Sequence, residues 1–334
     1  MKKFLIRILC YLLGFGLLLA GACVLIDPFN VLHPLSLRDN GVEPNKNYIK
    51  MTWLLHEPER FDALLFGSSR VGSIHAENIP GLRCYNMSYS GGLPEEHLTN
   101  LKTLVGAGIV PKRVFLGLDS VSYTEDPAEH YDQPIRMPYE IAKREPLLFW
   151  KTYLDPDMVR DAVFDVILKH HKTPGFAENF YAFGWDHDYG YVSAYDFTQA
   201  KPVIGPQMRI PETLETVAEI VRLCRDEGIE LTVFTNPMYE VSYAAAVERD
   251  YLVFLRELAQ ITPYWNFSGY NAYTTDASRF FDASHYNAEL GDILIERMCG
   301  DSTAASSGDG FGMYVTPENA DELIGILQAQ LHAD

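Results

Sequence analysis

DALLFGSSRVGSI, residues 62–74, passes from an apolar run to a glycine and two serines within a few positions. Ala63 to Phe66 is short and continuously apolar, the mark of a strand covered on both faces. Gly67-Ser68-Ser69 then stops the strand and turns the chain. Four more runs of this kind follow: RCYNMS at 83–88, RVFLGLD at 113–119, ELTVFTNP at 230–237 and PYWNFSG at 263–269. Helical patterns separate most of them, at Glu95–Gly106, Glu212–Asp226 and about Ser242–Ala259. This alternation predicts parallel strands joined by crossover helices, an α/β doubly wound sheet. Ligands of such sheets bind beyond the carboxyl ends of the strands.

Between residues 120 and 211 the alternation stops. DMVRDAVFDVILKHH, 157–171, reads as a helix, and NFYAFGWDHDYGYVSAYDF, 179–197, is dense in aromatics. So long a structureless loop is implausible inside a domain, so the segment is expected to be an inserted helical, aromatic-rich subdomain or lid. Its aromatics would form its own core or line a carbohydrate or acyl groove. GDSTAASSGDGFGM, 300–313, reads as a flexible joint. TPENADELIGILQAQL, 316–331, reads as an amphipathic helix opened by Thr316 and Pro317. The expected organisation is an anchor at 1–29, an α/β domain at 30–300 interrupted at about 120–211, and a joint with a final helix at 301–334.

The chain has 334 residues, of which 47% are hydrophobic and 22% charged, a balance that favours a packed core over disorder. At the start, Lys2, Lys3 and Arg7 precede an uncharged run from Ile8 to Ile26. At about 1.5 Å per residue that run nearly crosses a hydrocarbon layer of ~30 Å. The basic flank places the N-terminus in the cytoplasm and the bulk of the chain outside, periplasmic or on the cell surface. A cleavable signal is the competing reading, because Ala20-Gly21-Ala22 is a small-residue site and Cys23 follows it as in a lipoprotein signal. The apolar run continues past that site to Ile26, which favours an uncleaved single-pass anchor.

The net charge is −18, and since Lys2, Lys3 and Arg7 contribute +3, the remainder carries −21. That charge argues against nucleic acid as a partner. Cys84, Cys224 and Cys299 are too few and too scattered for a disulfide framework or a zinc site. His170-His171 and Asp186-His187-Asp188 supply no helical histidine pair or paired carboxylates, so no metal and no cofactor are expected.

The strand ends carry the chemistry. The first delivers Gly67, Ser68 and Ser69; the second Asn86 to Gly92; the third Gly117 to Ser120; and FFDASHYN, 280–287, follows the fifth. Asp282 and His285 lie three apart, so on a helical turn they share a face. There the aspartate can fix the histidine tautomer and leave Nε2 as a base for a serine. Gly91-Gly92 N–H groups can hold a developing oxyanion. Asn86 can act as a second oxyanion donor and Arg70 as a clamp on a substrate carboxylate. Each residue also has a plainer reading: Ser69 and Asp282 as caps, His285 as a surface histidine, Gly91-Gly92 as a turn, Asn86 as a strand-end amide, and Arg70 as a solvated or paired charge.

This order of motifs resembles the SGNH (GDSL-like) hydrolase superfamily, most of all its membrane-anchored extracytoplasmic branch of DltD-like and alginate-acetylation-like proteins. The resemblance spans roughly 60–119 and 212–300. Gly67-Ser68-Ser69 matches the family's Gly-Asp-Ser block and makes Ser69 the nucleophile. Gly91 or Gly92 matches the oxyanion glycine, and Asp282-Ala283-Ser284-His285 matches the Asp-x-x-His block. Where the family has an oxyanion asparagine, GLDS places Asp119, whose charge would repel an oxyanion. The resemblance implies a flavodoxin-like three-layer sandwich with a central parallel sheet. It implies a serine esterase or O-acyltransferase acting on acyl esters of cell-envelope polysaccharide. Asp119 supports the alternative of a non-catalytic glycan-binding or partner protein in an envelope-assembly complex.

Overall fold

The computed structural model describes residues 1–168, 175–185, 194–300 and 308–332. Six strands form one sheet: β1 (Ala63–Phe66), β2 (Cys84–Asn86), β3 (Arg113–Leu118), β4 (Glu230–Thr235), β5 (Tyr264–Asn266) and β6 (Met313–Val315), in the order β2-β1-β3-β4-β5-β6. The first five are parallel. β6 runs antiparallel to β5, with Trp265 opposite Tyr314.

Successive side chains point to opposite faces. Leu64, Phe66, Val114, Leu116 and Val233 meet one apolar layer, while Ala63, Leu65, Phe115 and Phe234 meet another. That double burial is why these strands read as unbroken apolar runs. The order from β2 to β5 is that of flavodoxin-like sheets, in which the chain steps outward from β1 to β2 and then returns across β1 to β3. A crevice opens beyond the carboxyl ends of β1 and β3, where the winding reverses.

The helices, in chain order, begin with α1 (Lys2–Ile26), α2 (Lys46–His56) and α3 (Pro94–Gly106). α1 is long and apolar enough to cross a membrane. It ends at Asp27, whose left-handed backbone and carboxylate, bonded to the N–H groups of Val31, Leu32 and His33, turn the chain. α3 opens with Pro94, and Glu96 reaches back to the Leu93 N–H at 3.1 Å, satisfying one of the orphan donors of its first turn.

Between β3 and the next sheet helix come α4 (Val121–Thr124), α5 (Tyr139–Arg144), α6 (Pro146–Tyr153), α7 (Pro156–Leu168) and α8 (Phe176–Phe183). Among the described residues, 120–211 contains helices and no strand. The aromatics of 179–197 do not gather into one core of their own. Tyr181 packs on Trp53 of α2, Phe197 packs on Tyr239 beside Phe280, and 186–193 lie outside the described residues. The insertion shares its main apolar cluster with the segment after α1: Phe29, Val31 and Tyr48 meet Met137, Ile141, Phe149 and Tyr153.

The chain then forms α9 (Ile210–Asp226), α10 (Glu240–Val247), α11 (Tyr251–Ile261), α12 (Ala288–Cys299) and α13 (Ala320–Leu331). α3, α9, α11 and α13 cover one face of the sheet, and α12 with the turn after β1 covers the other. Three expectations differ from the structure. The single helix at 242–259 is two, broken where Asp250 adopts φ 59, a conformation aspartate tolerates better than most residues. The stretch 308–313 is packed, with Phe311 buried between Phe267 and Tyr273, and it leads into β6; residues 301–307 lie outside the described residues. β6 is three residues long, too short for a periodic signal. α13 starts at Ala320 because Asn319 takes the Thr316 N–H at 2.7 Å and closes a turn around Pro317 before the helix begins.

Candidate active site

β1 ends at Phe66, and the next residue must be glycine. A Cβ on Gly67 would lie 2.3 Å from a Val71 methyl and 3.1 Å from the Gly117 carbonyl oxygen. The chain then enters a 3₁₀ turn, Ser69–Ser73. The two serines diverge there. Ser68 is buried and donates to Asp119 Oδ2 at 2.9 Å. Ser69 lines an open cavity of about 440 Å³, and its Oγ lies 2.8 Å from His285 Nε2.

His285 sits in a tight bend, where the spacing predicted a helical turn. The Phe281 N–H donates to the His285 carbonyl at 2.7 Å, and Phe280 pairs with Tyr286. Asp282 holds the bend from inside. Its Oδ1 accepts the Ser284 and His285 N–H groups at 2.7 and 2.8 Å, and its Oδ2 lies 2.9 Å from His285 Nδ1. One carboxylate therefore caps the turn and orients the ring. Burial pushes the Asp282 carboxyl up, but the hydrogen bond and charge of His285, with the two backbone donors, outweigh it and bring it down to about 2. An ionised Asp282 accepts a hydrogen bond from Nδ1–H, which leaves the Nε2 lone pair toward Ser69.

Of the two glycines, Gly91 lines the cavity with Ser69. Its φ of +69 suits glycine, and its N–H makes no hydrogen bond among the described residues. The Gly92 N–H is spent on the Tyr89 carbonyl at 3.1 Å. Gly92 is instead a packing residue, since a Cβ there would lie 2.7 Å from the Gly67 carbonyl oxygen and 2.9 Å from the His97 ring. Burial depresses His97 to about 3, so it stays neutral beneath this loop.

Asn86 and Asp119 both have their polar atoms engaged within the protein. Asn86 is no free donor: its amide group donates to the Val71 and Ile74 carbonyls at 2.9 and 3.2 Å and accepts from the Ser88 N–H at 2.9 Å, tying β2 to the serine turn. Asp119 is fully buried beneath the serines. It takes Arg70 Nη1 at 2.5 Å, Ser68 Oγ at 2.9 Å, Asn236 Nδ2 at 3.0 Å and the Val121 N–H at 2.8 Å. Its carboxylate faces Arg70 and is not part of the cavity lining.

Arg70 is buried too, and it does more than pair with Asp119. Its Nε donates to the Ser284 carbonyl at 3.2 Å and its Nη2 to the Val203 carbonyl at 3.4 Å. The residue after the nucleophile position thus clamps the end of β3 and the bend that carries His285.

Sequence reading missed the opposite wall. Glu43 and Lys46, from the segment after α1, form an ion pair at 2.9 Å, and Glu43 also accepts from Ser90. Arg136, from the insertion, stacks its guanidinium where a Gly91 side chain would be, 2.9 Å from the Cβ position. It reaches Glu125 at 3.3 Å, while its buried Nε–H has no partner among the described residues. No motif marks these residues, because tertiary packing of the insertion brings them here.

No group of three or more histidines, cysteines or acidic residues among the described residues is placed to hold a metal. His170, His171 and Asp186-His187-Asp188 lie outside the described residues. A scan against protein-family models finds no match, and a search of curated proteins finds no significant relative.

Proposed function

We propose that this protein is an SGNH-like serine esterase or O-acyltransferase that works through an acyl-serine intermediate. The observation that carries the reading is the relay from Ser69 Oγ to His285 Nε2 at 2.8 Å and from Nδ1 to Asp282 at 2.9 Å, opening on a cavity at the β1/β3 crevice. Ser69 Oγ attacks the ester carbonyl carbon while His285 Nε2 takes its proton. The carbonyl electrons move to oxygen, where the Gly91 N–H receives them and the Arg136 guanidinium on the same wall adds positive charge. The C–O bond to the alcohol then breaks, and His285 returns the proton to the leaving oxygen. Water or a sugar hydroxyl attacks the acyl-serine by the same steps reversed, giving hydrolysis or transfer.

The cavity walls carry Glu43, Lys46, Ser90, Glu125 and Arg136 beside Val121, Ile135 and Val203, so they offer a sugar both hydrogen-bonding groups and apolar contact. With α1 as an anchor and the body outside, acyl esters of cell-envelope polysaccharide are the substrate class this reading supports. The sequence feature that favours a non-catalytic protein, Asp119, loses its force once its carboxylate is buried on Arg70. Hydrolysis of an aryl acetate by the full chain in detergent tests the proposal. Turnover with an acyl adduct on Ser69 is expected, and turnover undiminished in Ser69→Ala would contradict it.

A further inference from the structure

Residues 1–18 of α1 are all exposed, and Leu12, Phe15, Leu18 and Leu25 present bare apolar surface. The protein touches α1 near its outer end. Cys23 is buried there, its Sγ 3.5 Å from the Tyr153 carbonyl at the end of α6, and Trp150 of α6 lines a small cleft with Cys23, Val24 and Pro28. α7 begins at Pro156, directly after this contact, and packs against α1.

The exposed apolar surface continues onto these two helices. Outside α1, the large apolar side chains more than half exposed among the described residues are Leu147 of α6 (88%) and Phe164, Ile167 and Leu168 of α7 (55%, 54% and 71%). Phe164, Ile167 and Leu168 are three and four apart, so they share a face. The exposed residues of the first half of α7 are mostly charged, Asp157, Arg160 and Asp161, with Met158 among them at 40% exposure. α7 therefore passes from a polar start to an apolar end along the side of α1. Apolar side chains exposed on a helix that packs against a membrane-length apolar helix, with Asp165 between them half-buried, have a membrane as their natural cover.

We infer that the apolar end of α7, with Leu147 of α6, is buried in the acyl-chain region of the outer leaflet beside α1, giving the catalytic body a second point of attachment. The inference rests on α1 being the membrane anchor. Electrostatics does not supply this contact, because a body of net charge −21 is repelled by anionic headgroups. Apolar burial does, and two attachment points fix the height and tilt of the cavity above the membrane, where one helix followed by a hinge would leave it free to swing.

The test uses the full chain reconstituted in phosphatidylcholine vesicles that carry a diazirine in the acyl chain, with labelled residues mapped by mass spectrometry after illumination. Label is expected on α1 and on the segment 164–168. In Phe164→Ser/Ile167→Ser/Leu168→Ser the α7 label falls to background and the α1 label stays. Label on α1 alone overturns the inference and leaves the anchor standing, and so does α7 label undiminished in the triple variant. Label on neither helix removes the anchor and the inference together.

Discussion

Ser68 and Ser69 are neighbours with separate tasks, and substitution should tell them apart. Ser69→Ala should abolish turnover. Ser68→Ala removes one of four donors to Asp119, costs about 1 kcal/mol of stability and leaves the reaction running. Asp282→Asn should lower kcat by about 10³–10⁴ while the protein stays folded, because the amide cannot hold the imidazole as the carboxylate does. With Asp282 held near about 2, its carboxylate is ionised throughout the working range. The stability it contributes is present above the unfolded value of ~3.9 and is lost only as pH falls through about 2. Protonation of Asp282 therefore does not limit the rate on mild acidification. Arg136→Ala should lower kcat by about 10² with little change in KM if its charge serves the oxyanion, and Arg136→Lys should recover part of it. Ser69, Asp282 and His285 could be named from sequence because each lies in a short motif after a strand. Arg136 and Lys46 could not, since they reach the cavity only through folding of segments with no periodic pattern.

The elements meet at Arg70. The β1 turn, the end of β3 and the His285 bend are joined by one buried guanidinium, through Asp119 at 2.5 Å and Ser284 at 3.2 Å. Arg70→Met leaves a buried carboxylate without its partner and should cost about 3–5 kcal/mol in urea unfolding. Arg70→Met/Asp119→Leu should regain only part of that stability, because Ser68, Asn236 and the Val121 N–H lose their acceptor, and should remain slow, since the clamp on the His285 bend is gone. Recovery of full rate in the double variant would show that the pair serves stability alone. A second junction holds the insertion. Buried His130 lies 2.8 Å from Glu96 of α3 and 3.4 Å from Glu125. Burial works against its charge, but hydrogen bonds to Glu125 and Glu96 prevail and raise it to about 9. Its stabilisation is complete below the unfolded value of ~6.5 and is lost as pH rises through about 9, at most about 3 kcal/mol. Thermal unfolding should show this decline between those limits, and His130→Gln should flatten it. At this scale the five parallel strands were legible because burial on both faces leaves unbroken apolar runs. β6 and the break at Asp250 were not, because a three-residue strand and a single left-handed residue leave no period to read.

At the scale of the whole molecule, an apolar N-terminal helix, an insertion packed on the segment that follows it, and an α/β sheet share one arrangement around the cavity. An N-terminal helix long and apolar enough to cross a membrane was legible from length and composition alone. The wall made by Glu43, Lys46 and Arg136 was not, because it depends on how the insertion closes against residues 29–48. The full chain should sediment with membranes and resist extraction by high salt, and a chain lacking residues 1–29 should lose that stable attachment. The central claim is that Ser69 is an activated nucleophile, and a fluorophosphonate probe reads this directly. The full chain in detergent is treated with the probe and the adduct located by mass spectrometry. The account predicts a label on Ser69 that survives Ser68→Ala and disappears in His285→Ala. A folded protein that takes no label, or one labelled equally well without His285, would contradict it.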